Sequence, residues 1–139
     1  MKSDLSAAYN DGWMLAWAAC HLRRPDVRTQ IESCLLHLDG TRYDVDAFVL
    51  MPNHVHAIIA PRDGYNLSTL LKGIKGVSAN RCNKLLGSKA SFWMDESYDH
   101  IVRDPKELGT FRDYIAENPG KARLAAHEYS LELRNVLVA

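Results

Sequence analysis

No apolar run in the chain approaches the roughly 20 residues that a membrane-spanning helix needs. The longest, Trp13-Met-Leu-Ala-Trp-Ala-Ala-Cys20, is short and is followed by Arg23-Arg24. It has no basic start of the kind a secretory leader carries, so neither a membrane span nor a signal peptide is expected. Cysteine is scarce: Cys20, Cys34 and Cys82 are odd in number and far apart. That pattern excludes a disulfide framework and a CxxC metal knuckle, and makes a reducing cytoplasm the default compartment. Net charge is missing as well, with 17 basic residues against 17 acidic ones. Zero net charge argues weakly against a nucleic-acid partner. Internal repeats, low-complexity stretches and signs of a second domain are all lacking.

What is present is an ordinary globular composition, 47% apolar and 24% charged over 139 residues. That length suffices for one domain with a real core. The chain is organised around residues 46–61, a strand, a tight turn and a second strand. The first strand, about Tyr43 to Met51, is rich in Val, Leu, Phe and Tyr. Pro52-Asn53 supplies the turn. The second strand carries His54, Val55, His56, Ala57, Ile58 and Ile59. Alternation puts both histidines on one face and Val55, Ala57 and Ile59 on the other, toward a core. Two imidazoles roughly 6–7 Å apart at Cα can converge on one metal ion. Spacing alone leaves a chance pair on a solvated face equally open.

Around this hairpin the periodicity predicts three helices. Pro25 to Leu38 carries an apolar stripe of Val27, Ile31, Cys34, Leu35 and Leu38. A second helix, capped by Asn66 or Ser68, runs to about Leu86 with Leu67, Leu70, Leu71, Ile74, Val77, Cys82 and Leu85 as its stripe. Gly73 and Gly76 inside it leave room for another backbone or a nucleic-acid strand. A third starts at Asp104-Pro105 and is expected to stop near Pro119, with Leu108, Phe111 and Ile115 packing inward. One or two short strands are expected within 91–103, where Phe92 and Trp93 serve either as core or as base-stacking surfaces. The tail from Lys121 is read as part helix. Residues 1–24 are the least legible; Trp13, Met14 and Trp17 fit a helical stripe or a cap on a sheet edge, with a core role.

Charge is unevenly spread. Between Asn66 and Ala90 lie Lys72, Lys75, Arg81, Lys84 and Lys89 and no acidic residue. Such a run suits phosphates, although a plain solvated helix face has the same look. On the third helix Tyr114 and Asn118 are four apart and share a face. A tyrosine is a candidate nucleophile, and an asparagine carbonyl is a candidate metal ligand.

Taken together, Val49-Leu-Met-Pro-Asn-His-Val-His56, Phe92-Trp93, Tyr98-Asp-His100 with Arg103, and Tyr114-Ile-Ala-Glu-Asn-Pro119 with Lys121-Ala122 resemble the single-tyrosine HUH transposases. The spelling is most similar to the REP-associated tyrosine transposases and their insertion-sequence relatives, over roughly residues 25 to 124. The resemblance implies an α+β, ferredoxin-like antiparallel sheet covered by helices. It implies metal-dependent cleavage and rejoining of single-stranded DNA next to hairpins, through a 5′-phosphotyrosine intermediate. His54, His56 and Asn118 would hold a divalent ion, Mg²⁺ or Mn²⁺, and Tyr114 would be the nucleophile. Lys72, Lys75, Arg81, Lys84 and Arg103 would contact the DNA. The expected partners are single-stranded or hairpin DNA and a second copy of the chain, with no membrane, in the cytoplasm at the nucleoid.

One departure stands out. No counterpart of the family's first strand is legible in residues 1–24, so the first strand is expected to be missing from an N-terminally shortened or decayed copy. That keeps an inactive DNA-hairpin binder as the alternative function. A cupin-type metalloprotein also uses HxH on a strand, but wants a carboxylate soon after the second histidine. Here the next acid is Asp63, beyond a proline.

Overall fold

The computed structural model of the protein describes residues 12–94, 98–102 and 104–137, without the side chains of Tyr98 and Asp99. The elements are β1 (Gly12–Trp17), a 3-10 turn (Cys20–Arg23), α1 (Pro25–Leu36), β2 (Tyr43–Leu50), β3 (His54–Pro61), α2 (Leu67–Leu86), β4 (Tyr98–Ile101), α3 (Pro105–Lys121), a second 3-10 turn (Ala126–Glu128) and β5 (Ser130–Leu133). The strands form one antiparallel sheet in the order β4-β1-β3-β2-β5. The βαββαβ run from β1 to β4 with this order is ferredoxin-like. β5 extends the sheet past β2, and α3 covers the face that α1 and α2 leave open.

Each face has its own core. Val27, Ile31 and Leu35 of α1 and Leu70, Leu71, Ile74 and Cys82 of α2 pack on Met14, Val55, Ala57 and Ile59. On the other side Leu108 and Ile115 of α3 pack on Ala47, Val49, Ile58 and Ala60. The predicted alternation of β3 is therefore realised.

The first strand is not missing. β1 lies inside the sheet, paired with β3 on one side and β4 on the other. Trp13 and Met14 are core residues, as expected, but on a strand and not on a helix or at a sheet edge. Its sequence, GWMLAW, shows no polar alternation because both faces of this strand are covered, which is why it did not read as a strand.

Three further expectations are corrected. α3 does not stop before Pro119 but runs through it to Lys121. The α-disfavouring effect of a proline on its predecessor is a preference, and the Ala122 N–H still closes on the Asn118 carbonyl. The tail forms an edge strand: β5 pairs with residues 47–50 of β2, and Leu131 faces the α3-side core. On α2, Val77 and Leu85 are 50% and 40% exposed, while Ser78 is fully buried beneath the Trp93 indole, which donates to its hydroxyl.

β2 carries a bulge between Val45 and Ala47. The extra residue, Asp46, resets the alternation, so that Val45 and Phe48 face α1 and α2 while Ala47 and Val49 face α3. Its carbonyl accepts from the Arg134 and Asn135 N–H groups. Its fully buried carboxylate accepts from Arg112 Nε and Nη2, both at 2.8 Å, and from the Leu137 N–H at 2.9 Å. This bidentate pair docks the middle of α3 on the sheet. Breaking a buried pair from one side typically costs about 3–5 kcal/mol, because the remaining charge is left uncompensated. Asp46→Asn should lower the urea midpoint accordingly, and adding Arg112→Met should recover part of that loss. An Asp46→Asn protein with the wild-type midpoint would mean that α3 docks without the pair.

Candidate functional site

The site forms where the first turn of β3 meets the last two turns of α3. Pro52 and Asn53 hold the β2–β3 turn against the segment after β1: the Asn53 carbonyl accepts from the Ala18 N–H and the Pro52 carbonyl from the Leu22 N–H. His54 and His56 then emerge on the α3 face, with ring centroids 4.7 Å apart. Their cross-strand partners on β1 are Trp17 and Leu15. Trp17 lies against His54 at 4.4 Å, and Trp13 packs edge-on against His56 at 5.0 Å.

α3 brings Tyr114 and Asn118 to the same place. The Tyr114 ring lies 5.0 Å from His56 and 5.3 Å from Trp13, and 46% of the residue is exposed. Phe111, one turn earlier, stacks on Trp13 at 4.1 Å. The Asn118 amide reaches His56 Nε2 at 3.5 Å. Half-turn rotation of that amide about χ2 exchanges its nitrogen for its oxygen, the atom a cation would take. His54, His56, Tyr114 and Asn118 thus converge within one chain.

The electrostatics suit a cation. Burial lowers the His54 pKa, and a hydrogen bond to the Asn118 side chain opposes that shift. Burial, and then the neighbouring His54, push the His56 pKa down to about 3. Both imidazoles are therefore neutral at physiological pH, which is the ligating form. The Asn53 side-chain oxygen can only accept, so at 2.7 Å it takes the His54 Nδ1 proton and leaves Nε2 with its lone pair. His56 is only 1% exposed, and its Nδ1 has no hydrogen-bond partner. Its Nε2, the nitrogen that Asn118 reaches, is the one placed to ligate a cation beside that amide. Among the described residues no three His, Cys, Asp or Glu gather as a metal cluster. Two imidazoles and an amide oxygen are thus the available donor set, and it leaves coordination positions open.

Other predicted residues are not gathered here. Lys72, Lys75, Arg81 and Lys84 lie on α2, which packs on the opposite face of the sheet. Lys72, Arg81 and Lys84 are exposed, and Lys75 is partly buried with its carbonyl accepting from the Trp93 indole. Arg103 lies outside the described residues. His100 pairs with Glu107 at 2.9 Å and rests against Phe111. Sequence reading missed the supporting residues: Asn53, which sets the His54 tautomer, and Trp13, Trp17 and Arg112. Asn53 was visible beside His54 but was read only as turn chemistry.

The depressed histidine pKa has a signed consequence. The unfolded chain takes up a proton at His56 near pH 6.5, whereas the folded chain resists until about 3. In a chelator, stability at this residue is therefore intact above 6.5 and is lost as pH falls toward 3, by up to about 1.4 kcal/mol per pH unit. Urea unfolding between those limits should show a shallower pH dependence for His56→Gln than for wild type. Equal slopes would mean that His56 is not buried neutral.

Comparisons with known proteins bear on the family and the fold. The family model described as "Transposase IS200 like" matches residues 23–118. No curated protein matches the chain. A REP-associated tyrosine transposase, solved bound to a REP hairpin, superposes with a TM-score of 0.68 at 20% identity, covering 84% of this chain and 70% of that one. A putative transposase from Deinococcus radiodurans R1 superposes with a TM-score of 0.54 at 18% identity, covering 91% of this chain and 100% of that one. At these identities the likeness concerns the fold. The family match spans well over half of the sequence, and the chain belongs to the IS200-like transposase family.

Proposed function

We propose that this protein cleaves and rejoins single-stranded DNA beside hairpins, as in DNA transposition, with Tyr114 as the nucleophile. The observation that carries the reading is the convergence of Tyr114 on His56, with His54 and Asn118 alongside, inside a transposase fold. A divalent cation, Mn²⁺ or Mg²⁺, held by His54, His56 and Asn118 would neutralise charge on the scissile phosphate.

The chain's own groups do the rest. Tyr114 is half-exposed, so a DNA strand can reach its oxygen, while Trp13 and Phe111 hold α3's inner side in place. The phenolic oxygen attacks phosphorus in line. The Oη–P bond forms, the P–O3′ bond breaks, the phenolic proton leaves, and the departing 3′-oxygen takes up a proton. The product is a 5′-phosphotyrosine and a free 3′-hydroxyl. The ester stays at the energy level of the phosphodiester it replaced, so attack by a 3′-hydroxyl reseals the strand without a nucleotide triphosphate.

The DNA partner follows from the family and from the structural relative that holds a REP hairpin. Lys72, Lys75, Arg81 and Lys84 would grip backbone phosphates on the far side of the sheet, remote from the reacting bond. Arg103, outside the described residues, would add a further DNA contact. The substrate implies work at the nucleoid, and no described helix is long and apolar enough to cross a membrane. All four reacting residues come from one chain, so a second copy is not needed to complete the site. The inactive-binder alternative drew its support from an absent first strand, and β1 removes that support.

Incubation of the protein with single-stranded hairpin DNA and Mn²⁺ should yield a covalent adduct on a denaturing gel. Tyr114→Phe keeps the ring and its packing, so it should fold and bind the hairpin while forming no adduct. An adduct with Tyr114→Phe would assign the nucleophile to another residue. No adduct from wild type either would favour the inactive binder.

A further inference from the structure

A second concave feature lies on the face away from the histidines. It is a groove of about 450 Å³ between α1 and α2, closed at one end by the loop that precedes α2. Its floor is apolar: Cys34, Leu38, Tyr43, Leu70 and Ile74. Its rim carries His37, Arg42 and Arg81, and among the described residues no carboxylate lines it. Tyr65 stands at the mouth, 44% exposed, with the Arg42 guanidinium 5.7 Å from its ring centroid. Val77, half-exposed, completes the apolar wall, and Gly73 leaves the groove open, since a Cβ there would meet nothing within 4 Å.

These properties specify the occupant. An apolar slot of this size accepts a flat ring, and small-molecule sites fall in the same range of volume. A cationic rim free of acids wants an anion attached to that ring. An exposed aromatic side chain with a guanidinium beside it is the platform on which unpaired bases stack. The groove also borders the acid-free basic run of α2, through Arg81 and then Lys84.

We propose that this groove binds an unpaired nucleotide of single-stranded DNA, with the base against Tyr65 and the apolar floor and its phosphate on Arg42 and Arg81. The inference rests on the DNA-binding reading above and deepens it. The strand is held by a base as well as by its backbone, at a place the sheet separates from the chemistry. Sequence-tolerant stacking of this kind adds affinity for any base, not for one base alone.

The test compares a single-stranded oligonucleotide with an abasic oligonucleotide of equal length, by fluorescence anisotropy. The proteins are wild type, Gly73→Leu and Tyr65→Ala. Gly73→Leu fills the groove at an exposed helical position where leucine is the better helix former, so folding is preserved. Tyr65→Ala alters an exposed loop residue and serves as the independent variant. Wild type should bind the base-bearing strand at least about 10-fold more tightly than the abasic one. Both variants should lose most of that ratio while binding the abasic strand as wild type does. A ratio unchanged in both variants overturns the groove as the base site. A wild-type ratio near one overturns it too, and leaves backbone binding by α2 intact. Failure of wild type to bind either strand overturns this inference together with the DNA-binding reading.

Discussion

The buried pairing of Asp46 with Arg112 is the constraint from which the site's geometry follows. A bulged residue inside a sheet has a carbonyl and a side chain that no ladder satisfies. Here both are satisfied by segments that must come from elsewhere: the carbonyl by residues 134 and 135, the carboxylate by Arg112 and the Leu137 N–H. The bulge therefore fastens α3 and the C-terminal segment in one step. With Arg112 fixed on the sheet, the helix also holds Tyr114 and Asn118, one turn apart, against His56 near the start of β3. The hydrogen bonds to this carboxylate, and its charge beside them, also raise the Arg112 pKa, which keeps the guanidinium charged.

The site itself is an apolar enclosure with few polar atoms. Trp13 and Trp17 lie against the two imidazoles, Trp13 also against the phenol ring, and Phe111 backs Trp13. Burial among them keeps the histidines neutral, which is a cost to an empty protein in acid and a benefit to one that must bind a cation. Asn53 then decides which nitrogen of His54 faces inward. β1 thus does more than fill the sheet, since its tryptophans form the wall against which the two imidazoles and the Tyr114 ring rest.

Much of this was legible in the sequence, for identifiable reasons. β3 declares itself because one face is apolar and the other is not. α1 and α2 show their periods, and at the start of α2 Asn66 does accept from the Thr69 N–H as a cap should. His54, His56, Tyr114 and Asn118 stand out as polar groups at spacings that fix a shared face. What was hidden lacks such a signature. β1 is covered on both sides, so its pattern carries no alternation. β5 is a short edge strand whose pairing with β2 is a long-range event. The bulge turns on a contact between residues 66 positions apart, which no local period reports. Val77 read as core from its spacing, yet it is half-exposed at the mouth of the α1–α2 groove.

Docking of α3 brings Tyr114 onto the histidines of its own chain. Mixing two inactive variants measures this directly. His56→Ala keeps the tyrosine, and Tyr114→Phe keeps the metal ligands. Each alone should fail to cleave single-stranded hairpin DNA in Mn²⁺, where wild type succeeds. If each site is built within one chain, the mixture should remain as inactive as its parts at every protein concentration. Cleavage restored by mixing would mean that Tyr114 serves a partner's histidines, and would contradict the account.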